Sequence, residues 1–196
     1  MSRANVLAAC LIVLFAAAGC RSSPSPTFYV MHGDVQRTDS PGPATTCVVV
    51  SPVTVPDVVD RPQIVTRTAD NRVELNEFAR WAEPLKTDIA RVIAADLAYR
   101  LTTARVSLFD LGAGAPPEWH VRVDITSIDS VRGDAVTIDA QWAVRPPASG
   151  ATVLGRTVAR EAVDGGDYGA LVAAHERALG VISDDIAVVI RAGQAH

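Results

Sequence analysis

Three consecutive segments in the second half of the chain alternate apolar and polar residues with a period of two. The first places four apolar side chains on one face: Trp119, Val121, Val123 and Ile125. The second does the same with Val136, Ile138, Ala140, Trp142 and Val144, and the third covers residues 152–162. Successive side chains of a β-strand point to opposite faces of its sheet. Turn residues at 132–134 and 146–150 separate the segments, so the sequence predicts a three-stranded antiparallel meander.

Two other segments carry apolar residues at helical spacing. In the first they are Leu85, Ile89, Val92, Ile93, Leu97 and Leu101. Pro84 suits the first turn of this helix, and Lys86, Asp88, Arg91 and Arg100 fall on its other faces. In the second helix the apolar stripe consists of Tyr168, Leu171, Val172, His175, Leu179, Ile182, Ile186 and Val189. Both patterns predict helices that cover a sheet.

Short apolar runs bounded by turn residues predict five further strands. They cover residues 27–31, 46–55, 64–67, 72–75 and 105–109, and Pro52 indicates a bend or an edge near the end of the second. The order is strands, helix, strands, helix, with no internal repeat and no second hydrophobic core. The sequence therefore predicts one α/β domain over residues 27–196.

The N-terminus has the pattern of an exported protein. Arg3 is followed by an unbroken apolar run over residues 6–18, which is shorter than the roughly 20 residues that a helix needs to cross a bilayer. This length predicts a secretory signal over residues 1–19. The closing segment Ala17-Ala18-Gly19-Cys20 resembles a bacterial lipobox, which implies cleavage after Gly19 and a covalent lipid on Cys20. The alternative is a plain signal peptide cut near Ala18.

The residues after Cys20 bear on where the protein is held. Residues 20–26 comprise the lipid-bearing cysteine and a polar, proline-containing tether. The lipobox resemblance implies that Arg21, standing where aspartate would retain a lipoprotein at the inner membrane, directs export to the outer membrane. The expected location is the periplasmic face of that membrane.

Charge and cysteine content exclude several classes of protein. The net charge of −4 disfavours nonspecific nucleic-acid binding, which needs clustered basic residues. Cys10 lies in the signal segment and Cys20 carries lipid, so Cys47 has no partner for a disulfide. Cys47 is followed by three valines, which favours a buried apolar role.

Catalytic chemistry finds little support in the sequence. The four histidines His32, His120, His175 and His196 show no short spacing typical of a metal site. His175 lies on an apolar helix stripe, which favours a hydrogen-bonded core histidine. Residues 112–115 look like a phosphate loop but precede two prolines and a strand, so no helix N-terminus follows to hold an anion. We expect no enzyme activity, no metal and no cofactor apart from the lipid on Cys20.

Three segments carry a family resemblance. They are the strand Phe28-Tyr29-Val30, the stretch Asp60-Arg61-Pro62-Gln63, and the stretch Glu77-Phe78-Ala79-Arg80-Trp81, which is expected to open the first helix. With the lipobox, these segments resemble the ABC-type transport auxiliary lipoproteins, the PqiC-like family. The resemblance implies a single three-layer α/β domain with a mixed β-sheet and two main helices. The implied fold is similar to that of the N-terminal domain of TolB and to anticodon-binding-like domains.

The resemblance also implies a function and partners. Members of the family accompany a membrane permease and a periplasm-spanning MCE-domain (mammalian cell entry) protein in intermembrane lipid transport and in maintaining the envelope. The lipoprotein is expected to dock the MCE protein at the outer membrane as a ring of copies. Two alternatives stay open: a carrier of a small hydrophobic ligand, and a structural envelope lipoprotein without a transporter partner.

The residues expected to dock the partner belong to the same segments: Arg61, Pro62, Gln63, Arg67, Arg80 and Trp81. Arginine and tryptophan are over-represented at interface hot spots, and the residue before a proline is held extended. The alternative for Arg61 and Arg80 is an internal ion pair with Asp57, Asp60 or Glu83. For Trp81 the alternative is packing in the core.

Overall fold

The computed structural model describes residues 24–34, 46–102, 105–109, 118–147 and 150–194. The signal segment, Cys20 and the loop at 112–115 lie outside these described residues. The strands and helices follow one another in this order: β1 (Thr27–Tyr29), β2 (Cys47–Thr54), β3 (Gln63–Ala69), β4 (Arg72–Trp81), α1 (Leu85–Arg100), β5 (Arg105–Ser107), β6 (Glu118–Ser130), β7 (Ala135–Arg145), β8 (Val153–Ala162) and α2 (Tyr168–Gln194).

The larger sheet has five strands in the order β5-β2-β6-β7-β8. Strands β6, β7 and β8 pair antiparallel with their neighbours along the chain, which confirms the predicted meander. Strand β2 pairs parallel with both β5 and β6. Its register against β6 shifts between Val50 and Val53, beside Pro52, where the sequence predicts an irregularity.

Both helices lie on one face of the five-stranded sheet. Helix α1 packs against β2 and β5, helix α2 packs against β7 and β8, and the helices contact each other. The strand residues on this face are buried, in the alternation that the sequence predicts: Val121, Val123, Ile125, Val136, Ile138, Ala140, Trp142 and Val144. The opposite face exposes polar residues such as Arg122, Asp124 and Gln141.

Strand β8 is joined to the sheet and to α2 through Trp142. Gly155 lies opposite Trp142 in the register, and a Cβ atom at Gly155 would come within 2.2 Å of the indole ring. The indole Nε1 donates to Thr157 Oγ1 at 3.0 Å, and the Thr157 hydroxyl donates to Asp185 Oδ2 of α2 at 2.6 Å. The ring therefore occupies the space that the missing side chain leaves.

The smaller sheet has three strands in the order β1-β4-β3, with β1 parallel to β4 and β3 antiparallel to it. The prediction that residues 77–81 open the first helix is wrong, because they form the end of β4. Ala79 and Trp81 are buried whereas Phe78 is exposed, which is the period of a strand. The helix begins only after Pro84, whose carbonyl accepts the Asp88 amide at 3.1 Å.

Buried apolar residues from both sheets and both helices form one core cluster, and Cys47 is a buried free thiol, as predicted. The structure confirms a mixed α/β fold with two main helices. The strands form two sheets where one mixed sheet was predicted, because β1 pairs with the β3–β4 hairpin and not with the larger sheet. The likeness to the N-terminal domain of TolB stays a prediction.

Candidate docking surface

A tight turn places Arg61 beside the end of β4. The amides of Val59 and Asp60 both donate to the Pro56 carbonyl, at 3.0 and 3.1 Å. The Trp81 amide then donates to the Pro62 carbonyl at 2.7 Å, which ties the turn to the sheet. A groove of about 300 Å³ opens here, lined by Asp60, Arg61, Pro62, Trp81, Ala82, Glu83 and Pro84. We call it the Arg61 groove.

The Arg61 guanidinium forms no ion pair with any described residue, and its Nε is buried without a hydrogen-bond partner. Two carboxylates proposed for it are already engaged. Asp60 receives Lys86 Nζ at 3.1 Å, and Glu83 receives Arg91 at 3.0 Å. The internal ion-pair alternative is therefore wrong for Arg61 within the described structure.

Arg80 has an internal partner, but not one of those predicted. Its guanidinium donates to Glu77 Oε2 at 2.8 Å, and Gln63 Nε2 donates to Glu77 Oε1 at 3.2 Å. These hydrogen bonds, from Arg80 first and then Gln63, lower the pKa of Glu77. Arg80 and Gln63 thus share one exposed carboxylate across β3 and β4 and are not free cations or amides.

Arg67 joins the two sheets. Its Nε and one terminal nitrogen donate to the two carboxylate oxygens of Asp129 on β6, at 2.7 and 2.9 Å. The hydrogen bond and the charge of Asp129 raise the pKa of Arg67. Because the Arg67 guanidinium already binds both oxygens of a carboxylate, its structural role is to link β3 to β6.

Trp81 lies in the core, which confirms the packing alternative. It is 5% exposed and meets the His175 ring edge-on, with centroids 5.6 Å apart. Only the margin of the indole borders the Arg61 groove. Among the six predicted docking residues, Arg61 and Pro62 are therefore the two whose side chains have no other structural task within the described residues.

His175 is the buried, hydrogen-bonded histidine that its position on the helix stripe predicts. Its Nδ1 lies 2.8 Å from the Leu171 carbonyl oxygen and its Nε2 lies 3.0 Å from Ser130 Oγ. Burial lowers the pKa of His175 to about 4, so the ring is neutral near pH 7. A carbonyl only accepts, so Nδ1 carries the proton and Nε2 accepts from the serine.

The structure also shows a contact that the sequence did not predict. Residues 31–34, here called the clip segment, lie against α1. The Met31 amide donates to Asp88 Oδ2 at 3.1 Å and the Asp34 amide donates to Asp96 Oδ1 at 2.7 Å. Both aspartates are buried, although Asp88 was placed on an outward face of the helix. Strand β1 ends at Tyr29, two residues before the predicted boundary at residue 31. The Met31 amide donates to the Asp88 carboxylate instead of to a neighbouring strand.

The energetic cost of burying the Asp88 and Asp96 carboxylates is partly offset by neighbouring arginines. Desolvation raises the pKa of both carboxyls, against the hydrogen bonds from the clip segment and the charges of Arg91 and Arg100. Arg91 also donates to the Met31 carbonyl at 2.8 Å. The sequence signal for this contact was the position of the two aspartates, each directly before an apolar residue of the buried stripe (Ile89 and Leu97), since buried carboxylates need donors.

Within the described ranges, no three His, Cys, Asp or Glu side chains come together as a metal-binding group would. None of the described helices combines the length and the apolar character that spanning a bilayer requires.

Comparison with known proteins assigns the chain. A family model described as the ABC-type transport auxiliary lipoprotein component matches residues 29–187. The chain belongs to this family. As a member of a lipoprotein family, it is associated with a membrane. It is also an auxiliary component of an ABC-type transport system. The match begins within β1 and ends within α2, so it includes both sheets and the Arg61 groove.

Solved structures agree with the fold. A crystal structure titled only as an uncharacterized protein is 19% identical and superposes with a TM-score of 0.71, covering 85% of this chain and 99% of the other. A protein of the DUF330 family from Xanthomonas campestris is 18% identical, with a TM-score of 0.65 and coverage of 86% and 98%. At these identities the likeness shows the fold alone. No curated protein matches the sequence.

Proposed function

We propose that this family member is the lipid-anchored accessory subunit of an MCE-type intermembrane lipid transport system. It would be acylated on Cys20, held at the periplasmic face of the outer membrane, and dock the periplasm-spanning MCE-domain protein there, as a ring of copies working with a membrane permease. The family assignment supports the transport role at the coarser level. In this role the chain has no catalytic activity and needs no cofactor beyond its lipid.

The observation that carries the docking proposal is the unpaired Arg61. A guanidinium presents several donors in a fixed fork and recognises carboxylates in a paired geometry. Here the fork borders a groove with Trp81 at its margin, and its Nε is unsatisfied within the described structure. An acidic or carbonyl-rich segment of a partner would supply the missing acceptor, and the turn at residues 56–61 holds Arg61 at the groove.

Two further features favour a docking subunit over a carrier of hydrophobic ligands. Pockets for such ligands are concave, mostly apolar and largely enclosed. A larger groove of about 510 Å³, between the clip segment and α2, is bordered by charged residues such as Asp34, Arg100, Glu176 and Arg177. The core face of the large sheet is filled by side chains from both helices.

The test is a mild-detergent pulldown of the full-length protein from its own envelope, with mass spectrometry of the partners. We expect the MCE-domain protein and its permease with the wild type. Arg61→Glu should lose them while keeping the wild-type unfolding temperature. Arg160→Glu is the matched control, because Arg160 is an exposed arginine on β8 whose partner Asp134 is also exposed. Recovery of the partners with Arg61→Glu would contradict docking at the groove, and recovery of no transporter protein would favour the structural-lipoprotein alternative.

The lipid anchor has its own test. Cys20→Ser should abolish incorporation of labelled fatty acid and keep the protein out of the outer-membrane fraction. Wild-type protein should stay with the outer-membrane fraction. Under the plain signal-peptide alternative, the substitution would change neither result.

A further inference from the structure

Two exposed phenylalanines lie on one face of the three-stranded sheet. Phe28 of β1 is 59% exposed and Phe78 of β4 is 49% exposed. Phe28 is paired with Arg80, and Phe78 precedes Arg80 by two residues in the same strand. Side chains two residues apart point to the same face, so the two rings are diagonal neighbours across the strand pair.

Strand β4 exposes two further apolar residues between Phe78 and the hairpin turn. They are Leu75 and Val73, at 40% and 49% exposure. Gln63, Val65 and Arg67 share one face of β3, and the shifted register pairs them with Arg80, Leu75 and Val73, so these β4 residues share the face of Phe78. We call Phe28, Val73, Leu75 and Phe78 the apolar patch. Single exposed apolar residues are ordinary on a protein surface, but a group of them marks an interaction site.

The direction of β1 places the patch near the N-terminal tether. Strand β4 runs from the hairpin turn at Arg72 towards Trp81, and β1 is parallel to it. The chain that precedes Thr27 therefore leaves towards the hairpin, past the exposed half of β4. Six residues lie between Cys20 and Thr27, and the seven Cα–Cα steps reach at most about 25 Å when fully extended. The Arg61 groove lies at the other end of the same sheet, where Pro62 bonds Trp81.

We propose that the apolar patch lies against the lipid surface that holds the anchored cysteine. This inference rests on the lipid anchor of the proposed function. The short tether keeps β1 within reach of the headgroups, and Phe28 of the patch directly follows Thr27, where the tether ends. Contact with lipid buries the two rings in the interfacial region.

The charges near the patch indicate which lipid property matters. Arg80 pairs with Glu77, and Arg67 pairs with Asp129, so two of the three arginines beside the patch are neutralised within the protein. The third, Arg72, donates to the Thr68 hydroxyl. Binding by apolar insertion needs no anionic headgroup, whereas binding through a basic surface does. Phosphatidylcholine vesicles, which carry no net charge, are therefore a sufficient probe.

The experiment uses the acylated protein reconstituted in phosphatidylcholine vesicles with brominated or ordinary acyl chains. Bromine quenches tryptophan only within contact range. The variants are Phe28→Trp and Phe78→Trp, with Leu154→Trp as the control, because Leu154 is 77% exposed but belongs to β8. The native Trp81, Trp119 and Trp142 are buried, and the wild-type signal gives their background. Flotation of the vesicles reports anchoring separately.

We expect the protein to float with the vesicles and the two phenylalanine variants to lose fluorescence in brominated lipid, with no change in the control. If the protein floats but these variants are quenched no more than the control, the anchor stands and the patch proposal is overturned. A blue-shifted emission without quenching would assign the patch to a second copy, which also overturns it. If the protein does not float, both the anchor and this inference fail.

Discussion

The Trp81 indole and the His175 imidazole meet edge-on, with ring centroids 5.6 Å apart and planes at 83°. Trp81 ends β4, and its partner in the register, Tyr29 of β1, approaches Tyr168 with a centroid distance of 6.1 Å. Two neighbouring strands are thus fixed to α2 by aromatic pairs. The Arg61 groove is built on this contact, so its shape depends on the core beneath it.

Replacing Trp81 tests whether this residue serves the core. We expect Trp81→Ala to lower the free energy of unfolding by about 3–5 kcal/mol, since it removes a buried ring and leaves a cavity. Urea unfolding followed by circular dichroism gives the value. Phe78→Ala on the exposed face of the same strand is the control and should change stability by no more than about 0.5 kcal/mol. A small loss for Trp81→Ala would return the residue to the docking surface.

The buried His175 predicts a dependence of stability on pH. Its pKa is about 4 in the folded protein and about 6.5 in an unfolded chain. Between these values the unfolded state binds more protons, so stability is full above pH 6.5 and falls as the pH is lowered towards 4. The complete difference corresponds to roughly 3 kcal/mol.

The same pH series on His175→Gln isolates this contribution. The raised pKa values of Asp88 and Asp96 act in the opposite direction, because protonation of a buried carboxyl favours the folded state. The unfolding free energy of the variant should therefore fall less between pH 6.5 and 4.5 than that of the wild type. Parallel curves for the two proteins would contradict a neutral buried His175.

Asp88 should be essential to the clip segment. Asp88→Ala leaves the Met31 amide and the Arg91 guanidinium without their buried acceptor, and we expect a loss of about 2–4 kcal/mol. Hydrogen exchange at the Met31 amide should accelerate in the same variant. Asp134→Ala is the control, because Asp134 and its partner Arg160 are both exposed and such surface pairs contribute at most about 1 kcal/mol. Unchanged protection at Met31 would show that the clip segment is held by other contacts.

We expect that Gly155 cannot be replaced by a residue with a side chain without a loss of stability. Gly155→Ala would place a methyl group within 2.2 Å of the Trp142 ring, and overpacking of this kind costs about 1–3 kcal/mol. Thermal unfolding and the near-ultraviolet dichroism of Trp142 would report it. Gly166→Ala, whose added Cβ meets nothing within 4 Å, should be tolerated. Equal stability of the two variants would contradict the close approach at Trp142.

The meander and both helices were predictable because their patterns are local. Alternation fixed the buried faces of β6 and β7, and the 3.6-residue stripe placed His175 inside. The end of β4 was missed although Phe78 to Trp81 also alternate, because the family resemblance placed this stretch at the start of the helix. Pro84 was the better boundary, since the residue before a proline resists helical geometry.

Other features depend on contacts between distant parts of the chain, which periodicity does not report. β1 pairs with β4 across some fifty residues of sequence, and Met31 reaches Asp88 across 57. The division of the strands between two sheets follows from the first contact, and the clip segment from the second. The lack of an ion pair at Arg61 also depends on residues from other parts of the chain. Lys86 pairs with Asp60 and Arg91 pairs with Glu83, so these two carboxylates are already engaged.

The parallel pairing of β1 with β4 has a mechanical consequence. A pull on the chain ahead of Thr27, along the strand axis, loads the β1–β4 hydrogen bonds in shear, so that they resist together and do not open one at a time. Behind them, the bonds from Met31 and Asp34 to α1 must also break before the load reaches the next segment. A tension applied at the N-terminus is thus carried by the body of the domain, and the first strand does not peel away alone.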